Sequence, residues 1–130
     1  MVTDPISDMM IRLKNAGMTG NREASVPYSE FKNQIAELLK REGYLKVITK
    51  RGKKVKKFLE LELAYEGEES RIHEVRRISK PSRRVYHQVG DIRPVRQGHG
   101  LAVYSTSRGL KTDREARTEK LGGEILFTLW

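Results

Sequence analysis

The 130-residue chain contains no cysteine, which excludes disulfides and thiolate metal sites and fits a cytosolic setting. It lacks any apolar run of the roughly 18 residues that a membrane-spanning helix needs. No basic amphipathic helix dominates it, so an anionic membrane surface is a poor partner. Its first residues, Met1-Val2-Thr3-Asp4-Pro5, do not place a charged start before an apolar core, and no signal peptide is expected. Aromatic residues make up 7%, with a single Trp, so a core must rest mainly on aliphatic side chains. The three histidines, at 73, 87 and 99, lack metal-ligand spacing, and neither metal nor cofactor is expected. There is no internal repeat and no low-complexity linker.

What the chain has in excess is positive charge. The formal net charge is +9 and the pI about 9.9, with 33% of residues charged and 37% hydrophobic. That is a folded profile with a strongly ionic surface, and it favours a polyanionic partner. The excess is uneven. Residues 1–69 hold 13 Lys/Arg against 11 Asp/Glu, whereas residues 70–130 hold 13 against 6. A polyanion should therefore sit mainly on the second half.

The first half reads as a scaffold. Asp4 before Pro5 can open a helix, and Ile6, Met9, Met10, Leu13 and Ala16 recur at helical spacing, with Gly17 as a stop. Arg12 and Asn15 fall on the outward side, either as a solvated face or as a secondary RNA contact. Ala24-Ser25-Val26 is strand-like. Ser29 can cap a second helix with Phe31, Ile35, Leu38 and Leu39 on one face, ending at Gly43. Tyr44 to Ile48 and Phe58 to Leu63 alternate as strands of a hairpin. Six cations crowd the tip at residues 50–57, among them Lys53, Lys54 and Lys56. They suit a soluble tip that resists edge pairing and, beside nucleic acid, a secondary contact to phosphates. The acidic stretch 65–70 is the best boundary. The expected fold is α/β (α+β) with two small subdomains: α-β-α-β-β over 1–66, and mostly β with one short helix over 67–130.

The second half carries the chemistry. Residues 71–80 read as a bulged strand. A basic turn follows, with Arg76, Arg77, Lys80, Arg83 and Arg84 around Pro81. Exposed ion pairs contribute only ~0–1 kcal/mol, so stability alone does not account for that cluster. Leu101 to Ser105 is a strong strand delivering three consecutive hydroxyls, Ser105-Thr106-Ser107, into a turn at Arg108-Gly109. Thr112-x-x-Glu115 is a capping box. The short helix ends at Gly122-Gly123, and Glu124 to Trp130, apolar on both faces, predicts a central strand. The glycine pair at its entrance permits close approach of a ligand to backbone.

Enzymatic readings fail on spacing. A nucleotide-binding P-loop needs Gly-Lys-Thr in succession, which Leu110 interrupts, and needs glycine where Tyr104 stands. No nucleophile elbow occurs. Neither long helix has the array of base-reading side chains that a major-groove reader of DNA requires. A hydroxyl loop with glycines, Tyr86 and Tyr104 nearby suits irregular RNA, where a base can be splayed out.

Ser105-Thr106-Ser107-Arg108-Gly109, Thr112-Asp113-Arg114-Glu115-Ala116-Arg117 and Gly122-Gly123-Glu124 closely resemble the C-terminal signature of the bacterial small-subunit ribosomal protein eight family. Ser79-Lys80-Pro81, Arg83-Arg84-Val85-Tyr86, Asp4-Pro5-Ile6-Ser7-Asp8-Met9 and Arg41-Glu42-Gly43-Tyr44 extend the resemblance over the whole chain. It implies a structural protein of the ribosome, monomeric there, that binds an irregular helix in the central domain of small-subunit ribosomal RNA early in assembly. No small-molecule substrate is implied. The contacts it implies are Ser105, Thr106 and Ser107 toward an unpaired adenine, with Gly123 and Glu124 beside them and Tyr86 nearby. Lys80, Arg83, Arg84 and Lys111 would meet the RNA backbone. It further implies ribosomal proteins five and twelve as neighbours and, in some bacteria, repression of the protein's own operon messenger. Ser82 stands where the family usually has glycine, which raises the question of a positive-φ turn after Pro81. Phe127-Thr128-Leu129 also departs from the pattern of many members.

Overall fold

The computed structural model describes residues 4–53 and 56–130, and the chain divides into two compact units, Pro5–His73 and Glu74–Trp130 with Asp4. Both combine helices with antiparallel strands, the α+β class expected. Among the described residues no helix is long and apolar enough to cross a membrane.

In the first unit, α1 (Pro5–Met18) buries Met9, Met10, Leu13 and Ala16 along one face. It runs through Gly17 instead of stopping there. A Cβ at Gly17 would stand 2.8 Å from Ser70 Cβ, so this glycine serves packing and not termination. Helix α2 (Glu30–Arg41) begins at Ser29, whose hydroxyl accepts from the Lys32 amide at 3.1 Å. Ile35, Leu38 and Leu39 are buried as their spacing predicts, while Phe31, in the first turn, stays partly exposed. Strands β1 (Glu23–Pro27), β2 (Leu45–Lys53) and β3 (Lys56–Leu63) form an antiparallel sheet in the order β1-β3-β2. Leu59, Leu61 and Leu63 are buried, and Glu60, on the other face, pairs with Arg51 at 2.7 Å. The acidic stretch folds on itself as β4 (Tyr65–Glu66) against β5 (Glu69–Ser70).

In the second unit, β6 (Val75–Arg77), β8 (Leu101–Thr106), β9 (Gly109–Thr112) and β10 (Gly123–Leu129) lie in the order β6-β10-β8-β9, and β7 (Tyr86–His87) also pairs with β10. The last strand is thus central, as its apolar faces predict. One reading is corrected. Residues 71–80 do not form one strand: the ladder covers Val75–Arg77, and the amides of Ile78 and Ser79 then converge on one carbonyl, that of Leu126, the two-against-one pattern of a bulge. A second irregularity lies in β10, where its register against β8 shifts between Ile125 and Phe127. Residues 109–112 form a strand on which the sequence was silent, so the hydroxyl run is the turn of a hairpin.

Helix α3 (Asp113–Glu119) closes its first turn with the expected capping box: Thr112 Oγ1 accepts from the Glu115 amide at 3.1 Å, and Glu115 accepts from the Thr112 amide at 3.0 Å. Ala116 packs with Ile92, Ala102, Tyr104 and Ile125 in the core on one face of the sheet. The Lys80–Arg83 turn is closed by reciprocal amide-to-carbonyl bonds of 2.9 Å, and Ser82 takes no positive φ, so serine fits where glycine is usual. Left-handed backbone occurs instead at Lys120 (φ 56°), which caps the end of α3, and at Arg96 (φ 50°) and Gln97 (φ 56°), followed by Gly98. Each non-glycine residue there costs ~1–2 kcal/mol.

Candidate nucleic-acid interface

The β-ladder sets the geometry of the candidate interface. Glu124 in β10 opposes Tyr86 in β7 on one side and Ser105 in β8 on the other. Opposed residues of antiparallel strands project to the same face, so Tyr86, Glu124 and Ser105 form a row across three strands. Tyr86 is 68% exposed, a free aromatic surface at the end of the row. A Cβ on Gly123 would lie 2.3 Å from the Ser105 carbonyl oxygen. Glycine is therefore required there for β10 to approach β8, a tighter demand than the ligand approach inferred from sequence.

The three hydroxyls are not equivalent. Thr106 Oγ1 donates to the Gly109 carbonyl at 2.8 Å and accepts from the Arg108 amide at 3.1 Å, so it closes the turn from within. Gly109, at φ 94°, supplies the left-handed residue this turn needs. Ser105 is partly exposed and Ser107 exposed, and the structure shows no hydrogen bond from either hydroxyl among the described residues.

The cations are held to different degrees. Arg84 reaches Glu124 at 3.1 Å with half its side chain exposed, and Lys80 and Arg83 are exposed at the ends of their turn. Lys111 opposes Tyr104, on the face away from Ser105, and pairs with Glu119 at 3.2 Å. In the other unit, Lys53 and Lys56 face each other at the end of the β2–β3 hairpin, and Lys54 lies outside the described residues. Arg12 is engaged by Asp8 at 3.2 Å and by the Ser25 carbonyl at 2.9 Å; Asn15 is exposed.

Two buried polar residues that sequence reasoning passed over support this row. Ser79, fully buried, donates its hydroxyl proton to Glu124 and accepts from the Val85 amide at 3.1 Å, tying the basic turn to β10. Asp113 accepts from the Ala102 amide at 3.2 Å and pairs with Arg117 at 3.1 Å, fixing α3 to β8. The i,i+4 spacing of Asp113 and Arg117 was a signal for the second; nothing in the sequence marks Ser79 as buried. Beneath the row, on the core face, Tyr104 bonds His87 Nδ1 through its hydroxyl at 2.9 Å. Burial, reinforced by Asp113, pushes the Tyr104 phenol up to about 12.

Comparison with known proteins identifies the family. Residues 4–130 match the family model described as "Ribosomal protein S8". The chain belongs to the ribosomal protein S8 family. It is 44% identical over 138 residues to the small ribosomal subunit protein uS8 of Thermus thermophilus, covering both proteins completely. It is 43% identical to that of Dictyoglomus turgidum over 129 residues, and 41% identical to that of Mycoplasmopsis pulmonis over 130, in both cases covering 98% of the relative. The S8-family match spans both units, so the scaffold half and the charged half belong to one family unit.

Proposed function

We propose that this chain is a structural, non-enzymatic constituent of the small ribosomal subunit that binds ribosomal RNA through the Tyr86–Glu124–Ser105 row. The observation that carries this reading is the row with the turn beside it: the unengaged hydroxyls of Ser105 and Ser107, the exposed Tyr86 ring and the cations Lys80, Arg83 and Arg84 within one folded unit. Ser105 and Ser107 offer hydrogen bonds to an unpaired base, Tyr86 a face for it to pack on, and the cations hold the backbone, positioning without reading sequence. Gly123 admits the strand approach that builds the row, and Thr106 fixes the turn.

The family resemblance supports the finer reading: an irregular helix in the central domain, an unpaired adenine at the serines, and ribosomal proteins five and twelve as neighbours. Regulation of the protein's own operon messenger would use the same surface on a similar RNA fold. Lys53 and Lys56, with Arg12 and Asn15, would add secondary contacts; Lys111 would contribute only by releasing Glu119.

The test is a titration with a short ribosomal RNA helix containing unpaired adenines. Ser105→Ala and Ser107→Ala should each weaken binding by about 1 kcal/mol, roughly fivefold, at unchanged melting temperature. Arg83→Ala with Arg84→Ala should reduce the salt slope by about one unit for each phosphate no longer neutralised. Equal affinity of all three variants and wild type would remove the row from the interface. Sedimentation of a cell extract separates this reading from a free-standing partner of acidic proteins, which predicts a pool away from small subunits.

A further inference from the structure

The six steps along β10 from Glu124 to Trp130 span about 20 Å at the usual rise per strand residue, and a second basic cluster lies at the Trp130 end. Trp130 exchanges backbone hydrogen bonds of 2.9 and 3.0 Å with Glu74. Arg76, in β6, lies opposite Thr128, on the core face and not on the face of Ser105. Its guanidinium carbon is 5.8 Å from the Trp130 ring centroid. The Arg96 guanidinium lies closer, at 4.1 Å from the same centroid.

The backbone is shaped to bring Arg96 there. Gly100 lets the loop lie against the strand end, since a Cβ on it would stand 2.9 Å from the Leu129 carbonyl oxygen and 3.2 Å from Trp130 Cβ. The amide of Gly100 donates to the Val95 carbonyl, and that of His99 to the Arg96 carbonyl, both at 3.0 Å, closing the left-handed turn. An exposed cation–π contact contributes less than this turn of two non-glycine left-handed residues costs. Strain that local contacts do not offset directs attention to a ligand.

Stacking on an indole leaves the in-plane N–H donors of a guanidinium free to fork onto an anion. Arg76 and Arg96 are both exposed, and among the described residues no carboxylate pairs with either. We propose that Arg76 and Arg96, organised on Trp130, form a second RNA site that grips phosphodiester backbone independently of the Ser105 row. Two adjacent forks suit RNA, whose charge density along the strand an acidic protein segment does not match. The contact carries no sequence information, so its role is to fasten a second RNA segment to the same protein.

Trp130 is the only tryptophan in the chain, so its fluorescence reports on this site directly. The full-length protein is titrated with a short, fully paired RNA duplex that offers no unpaired base to the Ser105 row. Trp130 emission should change on binding, in wild type and in Ser105→Ala alike, and added salt should reverse it. The double variant Arg76→Gln/Arg96→Gln should lose the emission change and reduce the salt slope by about two units. Arg96→Lys, which keeps charge without the fork, should recover only part of the slope. Far-UV circular dichroism and melting temperature confirm that the variants fold. A wild-type emission unmoved by RNA, or an unaltered slope in the double variant, overturns the proposal. So does an equal response to polyglutamate at the same charge concentration, which would assign the cluster to acidic proteins. Because the duplex lacks unpaired bases, failure here leaves the Ser105 row standing, and failure there leaves this site standing.

Discussion

Replacing Ser79 by Ala should destabilise the second unit more than any change to the surface cations around it. Ser79 is fully buried, and its oxygen both accepts from the Val85 amide and donates to Glu124. Alanine leaves the partly buried Val85 amide without its acceptor, at ~1–3 kcal/mol. It also removes one charge-assisted bond from Glu124, whose side chain is 13% exposed and so only partly able to recruit water. Arg84 still serves that carboxylate, so the second loss is incomplete, and the sum is about 2–4 kcal/mol. Arg84→Ala breaks an ion pair whose arginine is 54% exposed, worth ~0–1 kcal/mol. Urea unfolding measures both. At a slope of about 2 kcal/mol per molar, Ser79→Ala should lower the midpoint by roughly 1–2 M and Arg84→Ala by less than about 0.5 M. On the proposed reading RNA affinity should rank the other way at low salt, because Arg84 would meet the RNA backbone while Ser79 is buried. A Ser79→Ala midpoint within error of wild type, or an equal drop in Arg84→Ala, would refute the assignment of Ser79 as the internal tie of this row.

Gly123→Ala places a methyl 2.3 Å from the Ser105 carbonyl oxygen, a backbone atom that cannot swing aside; a loss of about 1–3 kcal/mol is expected in urea unfolding, together with weaker RNA binding because Ser105 moves. Thr112→Ala should cost ~1 kcal/mol by the same assay, since it removes the acceptor for the Glu115 amide. For Tyr104, the folded-state pKa near 12 lies above the unfolded value of 10.0, so folding favours the protonated phenol. Its contribution is fully present below pH 10 and is lost as pH rises toward 12, by about 2–3 kcal/mol in all. Tyr104→Phe should flatten that alkaline decline in thermal melts, and an equally steep decline in the variant would exclude Tyr104 as its cause.

The parts of the fold legible in the sequence were those fixed by local pattern. Helical spacing gave α1 and α2, period-two alternation gave β3, and Ser29 and Thr112 marked the caps of α2 and α3, because each depends only on neighbours a few residues away. The misreadings fell where a contact distant in sequence decides. Gly17 has the look of a helix stop, and only its closeness to Ser70 shows otherwise. The end of β6 depends on Leu126, and the strand 109–112 carries too little apolar alternation to announce itself. It exists because β8 offers it a ladder.

The same division explains the candidate site. Ser105, Thr106 and Ser107 are adjacent in sequence and chemically alike, so composition treats them as one feature. Alternation along β8 and the geometry of a tight turn separate them: Ser105 joins the row with Glu124, Thr106 bonds inward to Gly109, and Ser107 points to water. Glu124 poses the sharper question, since a carboxylate in a row proposed to face a polyanion should repel it. Its oxygens instead receive the Ser79 hydroxyl and the Arg84 guanidinium. The pair Glu124–Arg84 carries no net charge, and the residual positive potential from Lys80 and Arg83 would decide the sign that RNA meets there on the proposed reading. The carboxylate therefore acts as an anchor: it holds Arg84 to β10 without leaving that arginine fully neutralised by burial. Glu124→Gln tests this directly. The neutral side chain can still accept from both partners but with less strength, so Arg84 should gain mobility, and RNA affinity should fall although a negative charge has been removed from the face of a polyanion. A rise in affinity would mean that repulsion, and not anchoring, is what Glu124 contributes.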